Sequence, residues 1–369
     1  MSRMRIVNVV GARPNFMKMA PLLVEYGRFP GEFEPLLVHT GQHYDDNMSK
    51  LFFEQLGLPA PDVYLGVGAG SHAEQTGKVM VAMEKLLQEQ RPDLVVVVGD
   101  VNSTMAAAIV AAKLCIPVAH VEAGLRSFDR TMPEEINRLV TDALADLCFT
   151  TSEDADENLK REGVPAEKIF FVGNVMIDTL LKLKAESAKS DVRRRLGVAD
   201  RYGFVTLHRP SNVDDKNTFA EILSALDVVQ MELPLVFPVH PRTRERMTRF
   251  GFLQEVEGWG GMMLTEPLGY LDSLSLMAGA TVVLTDSGGV QEETTVLGVP
   301  CLTIRENTER PVTVTEGTNT LVGTSHARIV EETQRILAGR GKKGRVPRYW
   351  DGQAAERIVQ CLRKFHSAR

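Results

Sequence analysis

The chain has 369 residues, with 48 acidic and 42 basic side chains, a formal net charge of -6 and 44% hydrophobic residues. That balance argues against nucleic acid or an anionic membrane surface as the principal partner, and the length calls for two domains rather than one core. Cys115, Cys148, Cys301 and Cys361 are scattered without Cys-x-x-Cys spacing and read as buried, reduced thiols of a cytoplasmic protein.

The first apolar run, Met4 to Val10, is too short for a signal peptide or a membrane span and predicts a strand. It turns at Gly11, Ala12, Arg13 and Pro14 into a helix with Lys18 in its early turns. A strand, a tight turn and a helix start together favour an anion, through backbone N–H groups and the helix dipole. Arg13, at the turn itself, is placed to contact a phosphate, and Lys18 adds a second positive charge. A second strand, 33–39, leads into TGQHYDDNMS, where Gln42 and His43 are candidates to line a pocket and Asp45 reads as a helix N-cap. The spacing of His43, Asp45 and Asp46 matches no zinc or calcium pattern. Gly66, Gly68 and Gly70 lack the spacing of a dinucleotide fingerprint and read as a flexible loop. An amphipathic helix, 72–90, follows, with Val79, Met83, Leu86 and Leu87 on one face.

An uninterrupted apolar strand, 94–98, ends in Gly99 and Asp100, ahead of an alanine-rich helix that Asn102 and Ser103 can cap. The next strand, 116–121, stops at Glu122, with Gly124 and Arg126 close behind, and Glu134 and Glu135 open the helix after that. In an open α/β sheet, ligands bind outside the carboxyl ends of strands, so Asp100 and Glu122 point into one crevice as candidate proton-transfer groups. Glu122 adjoins buried strand, where a carboxylate without a partner is costly. Glu134 carries two readings. Thr131 to Glu134 spell a helix start with a Thr N-cap, and the same carboxylate is available for chemistry. Strands 146–150 and 169–172 complete a half in which every strand is followed by a helix, the signature of a parallel sheet.

The alternation then begins again, with 173–178 as the crossing between domains and 182–195 as the first helical stretch beyond it. Strand 204–207 delivers His208 and Arg209, and strand 235–239 delivers His240, Pro241 and Arg242. Such exits suit an anionic ligand, although His240 fits a structural role equally well. In TVVLTDSGGVQEE a strand ends at Asp286 and a helix is predicted from Val290. Ser287, Gly288 and Gly289 present N–H groups to a diphosphate, and one of Glu292 and Glu293 can hold a ribose diol. Arg305 and Arg310 bracket the loop after strand 299–304. The last helix, 351–365, is expected to pack back on the first domain.

Ten blocks, GARPNFMKMAP, TGQHYDDNMS, GDVNST, HVEAGLR, MPEEINR, VGNVMIDT, TLHRP, PVHPR, TDSGGVQEE and TERP with EGTN after it, occur in this order. With them the sequence resembles the non-hydrolysing UDP-N-acetylglucosamine 2-epimerases from the first strand to the last helix. The resemblance implies an α/β protein of two Rossmann-like domains with parallel sheets, like the B-type glycosyltransferases, with the active site in the interdomain cleft. Residues 1–174, with 351–369 packing back, would carry the catalytic acids, and 175–350 would bind UDP. Carried over residue by residue, the catalytic positions fall on Asp100, Glu122, Glu134, Lys18 and His208. The nucleotide contacts fall on Arg13, Ser287, Gly288, Glu293 and Arg310, with Gly289 and His240 placed to join them. The resemblance further implies a UDP-sugar substrate, no metal, no cofactor and a homodimer. The implied reaction is reversible C2 epimerisation of UDP-N-acetylglucosamine to UDP-N-acetylmannosamine, by elimination and re-addition of UDP. Many bacterial members read GTRPE and QHRE where this chain has Gly11 to Asn15 and Gln42 to Asp45. The second of these departures lies where an activating sugar nucleotide binds in some members. The GARP and TGQHYD forms also occur in relatives acting on UDP-diacetamido-uronic acids, which makes that substrate the alternative. A glycosyltransferase of the same fold and a non-catalytic sugar-nucleotide sensor are the competing classes.

Overall fold

The computed structural model describes residues 3–42 and 58–368, apart from the Arg13 side chain. His43, Asp45 and Asp46 lie outside the described residues. The chain divides into two compact units, Met1–Lys182 with Arg348–Arg369, and Leu183–Pro347.

The first unit is built on seven strands: β1 (Met4–Val10), β2 (Phe33–His39), β3 (Val63–Tyr64), β4 (Leu94–Val98), β5 (Val118–Ala123), β6 (Leu147–Thr150) and β7 (Ile169–Phe171). Their order is β3-β2-β1-β4-β5-β6-β7, with every pairing parallel. β4 reads LVVVV and is buried throughout, as a central strand covered on both faces must be. The order reverses direction between β1 and β4, so the turns after these two strands flank the crevice where ligands settle in such sheets. Those turns carry Gly11 to Arg13 and Gly99 to Asp100.

The second unit repeats the plan with β8 (Gly203–Thr206), β9 (Leu235–Pro238), β10 (Met262–Thr265), β11 (Val282–Thr285), β12 (Cys301–Thr303) and β13 (Asn319–Leu321). The order β10-β9-β8-β11-β12-β13 is again all parallel, and its switch point falls between β8 and β11. Asp286 follows β11 directly, and His208 stands two residues beyond β8.

Several local expectations are corrected. β5 does not stop at Val121 but continues through Glu122 to Ala123. Its pairing with β6 skips a residue between Val121 and Ala123, and Glu122 adopts φ 75. A bulge with a left-handed non-glycine residue is strained and persists only where its surroundings hold it. The helix after β11 starts at Gly288 rather than Val290. Cys115 is exposed, not buried, because it lies beyond the end of the helix Asn102–Lys113 with φ 57. Cys148 and Cys301 are buried.

The last helix, Ala354–Ser367, belongs to the first unit and contacts the helix Arg13–Tyr26. Its free N–H groups at Ala354 and Ala355 donate to the Asp178 carboxylate at 3.1 and 2.7 Å, satisfying donors that a helix start leaves open. Burial pushes the Asp178 carboxyl up to about 6 against these two hydrogen bonds. Among the described residues, no helix is long and apolar enough to cross a membrane.

Candidate active site

In the first unit, Glu122 and Lys18 meet as a buried ion pair, 2.6 Å from Nζ to Oε2, at 3% and 5% exposure. The bulge turns a strand residue toward a helix that comes much earlier in the chain, and the lysine offsets the cost of burying the carboxylate. Lys18 also lies close under the β4 exit, since a Cβ on Gly99 would stand 2.8 Å from its Nζ. Asn15 pins the neighbouring turn. Its Oδ1 accepts from the N–H groups of Gly11 and Ala12, both at 3.0 Å, and its Nδ2 donates to the Val98 carbonyl at 3.0 Å.

Asp100 is the second acid, and Nε and Nη2 of Arg138 donate to its Oδ2 at 3.1 and 2.8 Å. Glu134 is the third, half-buried in the first turn of the helix Pro133–Leu144, and among the described residues no ion pair engages it. The capping role expected of Thr131 and Glu134 is not found. Asp129 Oδ1 accepts both the hydroxyl and the N–H of Thr131, at 2.6 and 3.0 Å, so Met132 becomes the N-cap and the third helical position passes to Glu135.

Arg126 does not join the acids. It is buried, 2.7 Å from Asp142, and donates from Nε and Nη2 to Glu162 at 2.8 and 2.6 Å. His120 stands on the same support, with Nδ1 2.6 Å from Asp142 Oδ1 and Nε2 2.8 Å from the Gly99 carbonyl oxygen. Burial alone would push the Asp142 carboxyl up, but His120 and Arg126 outweigh it and hold the group below the usual carboxylate range. Within the HVEAGLR block, His120 and Arg126 are thus spent on scaffold.

In the second unit Asp286 is the hub. Fully buried, it accepts from the N–H groups of His208 and Arg209, both at 2.9 Å, and from Asn212 Nδ2 at 3.2 Å, and it lies 2.9 Å from His208 Nδ1. Burial opposes its charge, but His208 and these N–H groups prevail and hold the carboxyl below the usual range. The ring of His208, whose side chain is 42% exposed, is therefore fixed through Nδ1. His240 lies beside it at 5.6 Å between centroids, and its Nδ1 accepts the Arg242 N–H at 3.2 Å, capping the helix Pro241–Phe250. The structural role is thus shown for His240, next to the candidate ligand residue.

The helix Gly288–Leu297 has Ser287 as N-cap and two glycines in its first turn. Under Gly288 lies Arg310, which pairs with Glu292 at 2.7 Å and also with Glu309, while Arg305 donates to Glu309 at 2.7 Å. A helix N-terminus is the end at which backbone N–H groups and the helix dipole favour an anion. Glu293 is buried one position beyond Glu292 and accepts from Tyr270 Oη at 2.7 Å. Burial raises its carboxyl to about 7; the tyrosine hydrogen bond opposes this and the Glu292 charge adds to it.

An acid whose folded value lies above its unfolded one binds more protons when folded, so stability falls as pH rises from about 4.5 to about 7 and stays lower above. A shift of this size corresponds to about 3 kcal/mol. Glu293→Gln, which keeps an acceptor for Tyr270, is expected to remove that dependence. Denaturant unfolding at pH 5 and pH 8 should show the variant more stable than the parent only at pH 8. Equal profiles would mean that Glu293 stays ionised in the fold.

Tyr270, Asn15 and the pairing of Lys18 with Glu122 in particular carried no sequence signal that marked them. Arg138, three residues after Glu135 on one helix face, had the spacing of an ion pair and could have been found by it.

The UDP-N-acetylglucosamine 2-epimerase family model matches residues 28–363. A UDP-N-acetylglucosamine 2-epimerase of Methanocaldococcus jannaschii is 42% identical over 365 residues, covering 97% of this chain and 99% of the relative. A UDP-2,3-diacetamido-2,3-dideoxy-D-glucuronate 2-epimerase of Pseudomonas aeruginosa is also 42% identical, over 98% of this chain and 100% of the relative. Among solved structures, the Methanocaldococcus jannaschii UDP-GlcNAc 2-epimerase in complex with UDP-GlcNAc and UDP superposes with a TM-score of 0.91, covering 98% of this chain and 100% of that one.

Proposed function

The chain belongs to the UDP-N-acetylglucosamine 2-epimerase family, and on that footing we propose that it interconverts UDP-N-acetylglucosamine and UDP-N-acetylmannosamine by inversion at C2. The C2 proton has no neighbouring carbonyl to acidify it, so its removal needs help from the leaving group. As the C1–O bond breaks and its electron pair leaves with UDP, C1 gains oxocarbenium character. A carboxylate then takes the C2 proton, giving 2-acetamidoglucal and UDP. In the return step a UDP oxygen re-adds at C1 while a proton reaches C2 from the opposite face. Substrate and product share one oxidation state, so no electron acceptor enters the balance.

The observation that carries this reading is the pair of acids at the exits of the neighbouring strands β4 and β5, each held by a cation, with Glu134 on the helix that follows β5. Asp100 lies 2.8 Å from Arg138 and Glu122 2.6 Å from Lys18, which places two cation-backed carboxylates as candidate proton acceptors, and their charge favours a cationic C1. Glu134, in the first turn of the helix after β5, is the third acid available for proton transfer at the other face of C2. In the second unit, His208 and the helix start at Ser287 to Gly289 would hold the diphosphate and stabilise departing UDP, with Arg310 behind that helix start, Glu293 at the ribose and His240 beside His208.

A second substrate, a UDP-diacetamido-uronic acid, is supported by the Pseudomonas aeruginosa relative at the same 42% identity. Proton NMR in heavy water tests both. UDP-N-acetylglucosamine is expected to yield the manno epimer with deuterium at C2. Turnover of the diacetamido-uronate alone would select the second reading, and exchange with neither would sink both.

A further inference from the structure

Asp100 is held by a guanidinium that has its own buried seat. While Nε and Nη2 of Arg138 donate to Asp100, its Nη1 donates to Glu135 Oε2 at 2.5 Å. The Arg138 and Glu135 side chains are each 2% exposed, whereas that of Asp100 is 23% exposed. The seat is interior and the acid stands at its rim. Glu135 is fixed in turn, since Oε2 accepts the N–H and hydroxyl of Ser127 at 2.9 and 3.0 Å, and Oε1 accepts the N–H of Phe128 at 2.9 Å. Phe128 is an exposed residue at φ 58, a conformation that this carboxylate holds. Asn137, next to Arg138, donates to the Asp100 carbonyl at 2.8 Å. One helix therefore secures both the backbone and the carboxylate of Asp100.

We propose that Arg138, seated on Glu135, is a positioning residue that keeps Asp100 an ionised, correctly oriented proton acceptor for C2. The proposal rests on the epimerase reading. Arginine stays charged at any working pH, and an opposite charge at this distance favours the carboxylate. Two donors from one rigid guanidinium converge on Oδ2, which fixes the carboxylate as a single ammonium would not. Among the described residues, the charged and titratable groups around the Gly99 to Asp100 turn include Lys18 with Glu122 on one side, His120 with Asp142 below the Gly99 carbonyl, and His72 at Asn102. None of them is altered by the variants proposed.

The test uses the full chain with Arg138→Met, Arg138→Lys and Glu135→Gln. It compares pH profiles of kcat and KM with a carbon-13 NMR titration of the Asp100 carboxyl, assigned through Asp100→Asn. Arg138→Met is expected to move the acid limb of kcat, and the Asp100 titration with it, upward by about 1–3 pH units, with KM nearly unchanged. Arg138→Lys should restore the position of the limb but turn over more slowly, because the charge returns without the fork. Glu135→Gln should lower kcat in the same way. The carboxyl titration needs no turnover, so a parent protein inactive on both sugar nucleotides would sink the epimerase reading while the titration still decided the role of Arg138. Asp100 titrating at one pH in parent and Arg138→Met overturns the proposal. So does Arg138→Lys with the kcat of the parent. If Arg138→Met does not fold, Arg138→Lys and Glu135→Gln decide, and parental kcat in either overturns it.

Discussion

Glu122→Gln is expected to lower kcat for C2 exchange by about 10²–10⁴-fold, the usual contribution of a positioned proton-transfer group, with KM close to that of the parent. The side chain is aimed by strained backbone at φ 75, at a break in the β5 pairing, and that geometry is held on one side by Lys18 at 2.6 Å. Glutamine keeps the shape and an acceptor for the ammonium but cannot take a proton. It also leaves Lys18 without its counter-charge in a buried place. Removing one partner of such a pair costs up to about 3–5 kcal/mol, and the retained acceptor reduces this. The double variant Lys18→Met with Glu122→Gln should therefore recover stability over the single one without recovering turnover. Deuterium exchange at C2 and denaturant unfolding of the three proteins separate the two effects. Full exchange in the single variant would remove Glu122 from the chemistry.

Gly288→Ala is expected to weaken UDP binding at least about tenfold, equivalent to 1.4 kcal/mol, and to destabilise the protein by about 1–3 kcal/mol through overpacking. A Cβ there would stand 2.6 Å from Arg310 Nη1 and 2.8 Å from Glu309 Oε1, closer than real contacts allow. Neither neighbour can withdraw cheaply, because Arg310 is tied to Glu292 as well as to Glu309, and Glu309 to Arg305. The shift would fall on the first turn of the helix, whose N–H groups are the proposed diphosphate donors. Isothermal calorimetry with UDP reads the affinity directly. Parental affinity would place the phosphates away from this helix start.

The two misread helix starts show how local rules fail. Thr131 to Glu134 matched a capping signature, but Asp129 had already taken the threonine hydroxyl, so the helix begins one residue later and Glu135, not Glu134, is spent on structure. At Gly288 the two glycines, poor helix formers, postponed the predicted start. The helix nevertheless begins at Gly288, where the Arg310 guanidinium occupies the space that a side chain would need. Arg126 read as part of the acid cluster because it follows Glu122 closely. It is instead drawn inward by Asp142 and Glu162, which come later in the chain.

Chain order by itself determined the strands other than β3, β10 and β13, the parallel alternation and the presence of acids or basic groups at strand ends. Those follow from apolar runs broken by glycine and charge, which are local properties. Only the tertiary structure decided the strand order, and with it the switch points that bring the turns after β1 and β4, and those after β8 and β11, side by side. It alone decided the partners: Lys18 for Glu122, Arg138 for Asp100 across 38 residues, and Asp286 for His208 across 78. A charge can be read from the sequence wherever it occurs. Whether it is held ionised depends on what lies within a few ångströms in the fold, and no local pattern records that distance.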